Sequence, residues 1–233
     1  MAVVYNRQSI VTDGLVLCLD AGNTKSYSGS GTAWTDLCGK GNNGTLTNGP
    51  TYSSTNGGSL VFDGSNDYVA IAHNASSMDF SLAQTICIWM KPDTGSNSAR
   101  RNPYNQAYGG PGTLTHERNQ TINYYFGTNG GNSSPYVGRN SGFTVAPLEL
   151  AFIAVTRNQT ENVCRWYKNG NLITSANAGG YATTANGTSP IWIGSGYAGR
   201  WLGNIYSTAV YNRALSAAEV AQNFNALRGR FGI

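Results

Sequence analysis

The stretch Ser59-Leu-Val-Phe-Asp-Gly-Ser-Asn-Asp-Tyr-Val-Ala-Ile-Ala72 constrains the fold more than any other part of the chain. Two short β-rich runs, Leu60–Phe62 and Tyr68–Ala72, flank a centre made of turn residues, Asp63 to Asp67. Gly64 tolerates positive φ, and Asp63, Asn66 and Asp67 can bond their own nearby backbone. In the flanking runs Leu60 and Phe62 oppose Val61, while Val69 and Ile71 alternate with Tyr68, Ala70 and Ala72. Period-two alternation of this kind predicts strands buried on at least one face. Similar short runs separated by Gly, Asn and Ser recur along the chain, so a β-sandwich is expected.

The remaining strands follow from the same periodicity. Gly14–Asp20 is the first. Gln84–Lys91 is apolar on both faces (Ile86, Ile88, Met90 and Cys87, Trp89), which predicts a central strand covered on both sides. Residues 94–147 are polar and rich in glycine and tyrosine, with a strand expected over Thr121–Phe126. Leu150–Arg157, Val163–Lys168 and Asn171–Ser175 form a meander whose Asn169-Gly170 pair fits a primed two-residue turn. Pro190–Gly194 and Arg200–Tyr211 complete the set. One helix is predicted near 217–227: Ser216 and Glu219 form a capping box, Leu215 and Val220 a staple, and Gly229 is expected to stop it. With no repeat or shift in composition, the chain reads as an arm, 1–13, followed by one domain, 14–233.

Composition narrows the partners. Charged residues make up only 11 % of the chain, against about 25 % in ordinary soluble domains. Net charge is +4, but the basic residues are scattered, which argues against nucleic acid. No apolar run is long enough for a membrane span, and the start lacks the pattern of a secretion signal. Cys18, Cys87 and Cys164 lie in apolar strand patterns and are expected as buried free thiols.

Three motifs in order resemble the concanavalin A-like, laminin-G-like jelly roll family. They are Trp34–Thr45, Phe62–Val69, and Gly203–Ile205 leading into Val210–Ser216 and Glu219. The resemblance implies an all-β, two-sheet antiparallel jelly-roll sandwich with one short C-terminal helix. The segments Asp13–Gly22 and Phe224–Ile233 further resemble stand-alone versions of this domain carried by tailed bacteriophages as virion components. That implies a non-enzymatic structural protein, foremost a capsid decoration protein on the virion, assembled in the host cytoplasm. Its partners would be virion proteins such as the major capsid protein, and copies of itself. A carbohydrate-binding adhesin on a cell-surface glycan, or a tail-fibre module, is the alternative; a glycan hydrolase ranks third.

Glycosidases need two carboxylates about 5–9.5 Å apart, and none of the eleven acids here stand at i, i+2 on one strand, so no catalytic residue is assigned. His73 and His116 lack a neighbouring nucleophile motif and are expected at an edge and in a loop. Asp63, Asn66 and Asp67 can offer oxygens to calcium, as can Asp20, Asp36 and Asn42; Asx turns explain the same residues without metal. No other cofactor is expected. Trp34, Trp201, Tyr197 and the tyrosines between 104 and 136 are candidates for sugar stacking, with Trp89, Trp166 and Trp192 assigned to the core. A partner interface is expected at Val3, Val4, Tyr5, Arg100, Arg101, Tyr104, Tyr108, Tyr124 and Tyr136, because the arm is a short apolar–polar terminal peptide and segment 97–140 offers tyrosine and arginine with too few aliphatic residues to build a core.

Overall fold

The structure, a computed structural model, describes residues 9–233. Val3, Val4 and Tyr5 lie outside the described residues. The first strands are β1 (Leu15–Asp20), β2 (Ala33–Trp34), β3 (Gly44–Thr47), β4 (Thr51–Ser53), β5 (Ser59–Asp63), β6 (Tyr68–Ile71) and β7 (Ala83–Pro92). There follow β8 (Arg101–Ala107), β9 (Gly112–His116), β10 (Thr121–Gly127), β11 (Tyr136–Thr144), β12 (Ala151–Asn158) and β13 (Val163–Lys168). The last are β14 (Asn171–Asn177), β15 (Ile191–Ile193), β16 (Leu202–Tyr211) and the helix α1 (Ala217–Phe231).

Two eight-stranded antiparallel sheets form the sandwich. The first runs β14-β13-β12-β7-β16-β5-β4, with β1 beside the C-terminal half of β16; the second runs β11-β10-β9-β8-β15-β6-β3-β2. Ser59–Ala72 is the corner between them: β5 pairs with β4 and β16, whereas β6 pairs with β3 and β15. Its turn therefore switches sheets instead of closing a hairpin within one. Asn169 (φ 49°) and Gly170 (φ 79°) do close a hairpin, in the primed geometry their identities favour.

The central strand β7 explains its two apolar faces. Ile86, Ile88 and Met90 enter the core between the sheets, while Cys87 and Trp89 enter a second core under α1. Trp89 stacks on Phe231 and Phe224, with ring centroids 4.2 and 5.5 Å away. This contact carries α1 past Gly229 to Phe231, and Gly232 (φ 72°) caps it. The helix thus does not stop at Gly229: stacking of Phe231 and an Arg230–Asp20 ion pair at 2.6 Å hold the extra turn. At the N-terminal end both halves of the capping box are formed.

Segment 97–140 corrects the expectation that it cannot build a core. Its strands β8 to β11 form half of the second sheet, and Tyr104, Leu114, Ile122, Tyr124 and Phe126 are buried in the main core. Aromatic rings supply the volume that aliphatic residues provide elsewhere. Trp34 and Trp201 are also fully buried, so neither is a sugar-stacking residue; Trp192, assigned to the core, is half-buried on the opposite face of β15. Cys18, Cys87 and Cys164 are buried free thiols, and burial pushes each up to about 12.

Candidate functional site

Because side chains alternate along a strand, the outer face of the second sheet can be read across its register. One rung aligns Gly138, Tyr125, Thr113, Asn105, Trp192, Ala70 and Thr45. Tyr125 lies on this face because its neighbours Tyr124 and Phe126 point into the core. Its ring covers Gly138, where a Cβ would come within 2.7 Å of the ring. Tyr136, at the start of β11, and Tyr108 and Tyr197, from loops, complete a cluster of four. Tyr108 stands 4.5 Å from Tyr197 and 5.0 Å from Tyr136; Tyr125 stands 6.0 Å from Tyr136 and 6.2 Å from Tyr197. Tyr136 and Tyr197 remain 45 % and 40 % exposed, so the cluster is open to a ligand.

Arg100 anchors the polar side of this cluster. Its Nε donates to Glu117 at 2.8 Å, and its other nitrogens donate to the hydroxyls of Tyr125 (3.0 Å) and Tyr197 (3.3 Å). Glu117 also accepts from Thr115 Oγ1 at 2.5 Å and from Asn123 Nδ2 at 3.0 Å. Burial holds the Tyr197 hydroxyl well above the ordinary phenol range. These groups open onto a shallow polar depression of about 420 Å³, lined by Arg100, Glu117, Arg118, Asn119, Asn123 and Asn140, among others. A fixed guanidinium, carboxylate and amides beside exposed rings can stack a sugar and bond its hydroxyls. Farther along the face, Trp192 and Tyr68 lie 5.8 Å apart, and the Arg200 guanidinium sits 5.1 Å over the Tyr68 ring.

The expected interface residues divide sharply. Arg100, Tyr108 and Tyr136 belong to this site. Tyr104 and Tyr124 do not: both are fully buried, and Tyr124 Oη donates to Gln84 while accepting from Arg157. Arg101 staples loops, donating to the carbonyls of Ser96 and Arg200. His116 lies in β9 instead of a loop; its Nε2 bonds the Val145 carbonyl at 2.8 Å, and burial lowers its pKa. Tyr197, a sugar candidate, is in place. Tyr125, one of the sugar candidates between 104 and 136, is in place as well; Glu117, Arg118 and Asn123 join the site without a signal in their sequence spacing.

The calcium candidates are occupied by backbone. Asp63 Oδ1 accepts from the amides of Ser65 and Asn66, which is Asx-turn geometry, and Asp67 Oδ2 accepts from the Asp63 amide across the turn. Asp36 receives the amides of Cys18, Cys38 and Asn42, and Asp20 pairs with Arg230. No group of three or more His, Cys, Asp or Glu suited to a metal occurs among the described residues. In both sets, carboxylate oxygens that calcium would use already accept from backbone amides or Arg230. No helix among them is long and apolar enough to cross a membrane.

This architecture is matched by a family model, Laminin_G_3, described as the concanavalin A-like lectin/glucanases superfamily, over residues 63–221. The chain belongs to that superfamily. Among solved structures it is similar to the binding domain of Paraclostridial Mosquitocidal Protein 1, with 18 % identity and a TM-score of 0.73, covering 92 % of this chain and 52 % of that one. It is also similar to the botulinum neurotoxin serotype D binding domain (15 % identity, TM-score 0.68, 92 % and 51 % covered). The receptor binding domain of the C/D mosaic serotype is comparable (13 %, TM-score 0.71, 92 % and 51 %). At these identities the likeness establishes the jelly-roll fold, and the chain spans about half the length of those structures. No curated protein sequence matches the chain.

Proposed function

We propose that this protein is a non-catalytic jelly-roll module that binds carbohydrate on the outer face of its second sheet. The observation that carries the proposal is the four-tyrosine cluster tied by Arg100 to Glu117 and bordered by an open polar depression. The neighbouring folds named as binding or receptor binding domains are consistent with it. Against hydrolysis, Glu117 is the one carboxylate lining the depression, whereas glycoside cleavage ordinarily needs two. Titration of a panel of soluble oligosaccharides tests this. Tyr108→Ala and Tyr197→Ala should each weaken binding by about tenfold with no change in melting temperature beyond a few degrees. No bound saccharide, or release of reducing sugar, refutes the proposal.

The same module is proposed to be a surface component of a bacteriophage virion, a capsid decoration protein ahead of a tail-fibre module. What supports this is the resemblance of segments 13–22 and 224–233 to phage-borne domains of this kind. The two segments meet through the Asp20–Arg230 ion pair, so they resemble as one structural unit. Quantitative mass spectrometry of purified particles should find a fixed copy number; absence from particles rejects the placement.

A further inference from the structure

On the helix side, acids are matched by bases: Asp20 with Arg230, and Asp13 and Glu219 with Arg213. The outer face of the second sheet is not balanced. Arg100 and Arg118 line the depression and Arg200 covers Tyr68, while Glu117 is the one carboxylate lining that depression. Glu117 is already consumed, since both its oxygens are bonded within the cluster and its side chain is only 15 % exposed. Arg118 is exposed, and no hydrogen bond or ion pair engages its guanidinium among the described residues.

An unengaged guanidinium beside a neutralised one is a forked donor waiting for planar or tetrahedral oxyanions. We infer that the saccharide taken by this face is anionic, carrying carboxylate or phosphate groups, with Arg118 as the residue that selects for the charge. This rests on the carbohydrate reading above but goes further, because stacking on tyrosine alone would accept neutral sugars equally well. The ring cluster supplies affinity for any sugar plane; Arg118 supplies the discrimination. The absence of other acids from the depression removes the repulsion that would otherwise oppose such a ligand.

Calorimetric titration of the full chain with three probes tests the inference: trigalacturonate, a phosphorylated mannotriose, and neutral galactotriose. At low salt, one or both acidic probes should bind about tenfold or more tightly than galactotriose, and the preference should shrink several-fold at high salt. Arg118→Ala should remove most of the preference, weakening the acidic probes several-fold more than galactotriose, and Arg118→Lys should restore part of it. Tyr108→Ala should weaken acidic and neutral probes alike. Equal affinity for acidic and neutral probes, or a preference that survives Arg118→Ala, overturns the anionic assignment and leaves carbohydrate binding standing. Binding of none of the three overturns both.

Discussion

Glu219 does two jobs with one carboxylate. Its Oε2 accepts from the amide and hydroxyl of Ser216, and Arg213 grips both oxygens at 2.6 and 3.0 Å. The Arg213 hydrogen bond, reinforced by the cap, holds its pKa at about 2 against an ordinary 4.5. A depressed carboxyl stabilises the fold fully above its unfolded pKa and loses that stabilisation as pH falls through the folded value. Glu219→Gln should therefore cost about 1 kcal/mol near neutrality, and the gap to wild type should close between pH 4.5 and about 2 in denaturation curves. Arg157 is the opposite case. It is fully buried in the core with no carboxylate partner among the described residues, held by Tyr124 Oη (3.1 Å) and the Phe80 carbonyl (2.6 Å), and stacked on Phe126. Arg157→Ala should cost about 3 kcal/mol or more in chemical denaturation, because it empties a large, fully buried volume in the core.

Helix α1 shows where local pattern suffices and where it stops. Ser216 and Glu219 start it through contacts three residues apart, so its beginning was legible in the sequence. Its end depends on Phe231 meeting Trp89 and Arg230 meeting Asp20, partners at distant positions that no local pattern reveals. Gly229 is consequently a helix-interior glycine whose added Cβ would meet nothing within 4 Å. Gly229→Ala should raise stability by about 0.5–1 kcal/mol, readable as a higher melting temperature. The same divide runs through the candidate site. Strand β10 was recognisable by its alternation, and that alternation separates Tyr124 from Tyr125. Which tyrosine faced outward depended on which side the first sheet covers, a non-local fact. Glu117 and Arg100, joined across the register, had no signature in sequence spacing.

At the scale of the molecule, the described end of the arm is part of the domain. Val11 is buried, its amide donates to Asn223 Oδ1, and its carbonyl accepts from Tyr211 Oη. Deleting residues 1–12 should thus lower the melting temperature, contrary to what an independent arm would do, and a shorter deletion is needed to test attachment to particles. Ser9 and α1 both pack on the outer side of the first sheet, since Gln222 Nε2 donates to the Ser9 carbonyl and Val220 joins Val11 in the core there. The tyrosine cluster lies on the outer side of the other sheet. A partner engaging this helix-bearing side would leave the ring-lined face on the opposite side open. Copies spaced on a shared surface would then present parallel sites to a polymeric ligand, and weak individual contacts would sum to avidity without a change in a single side chain.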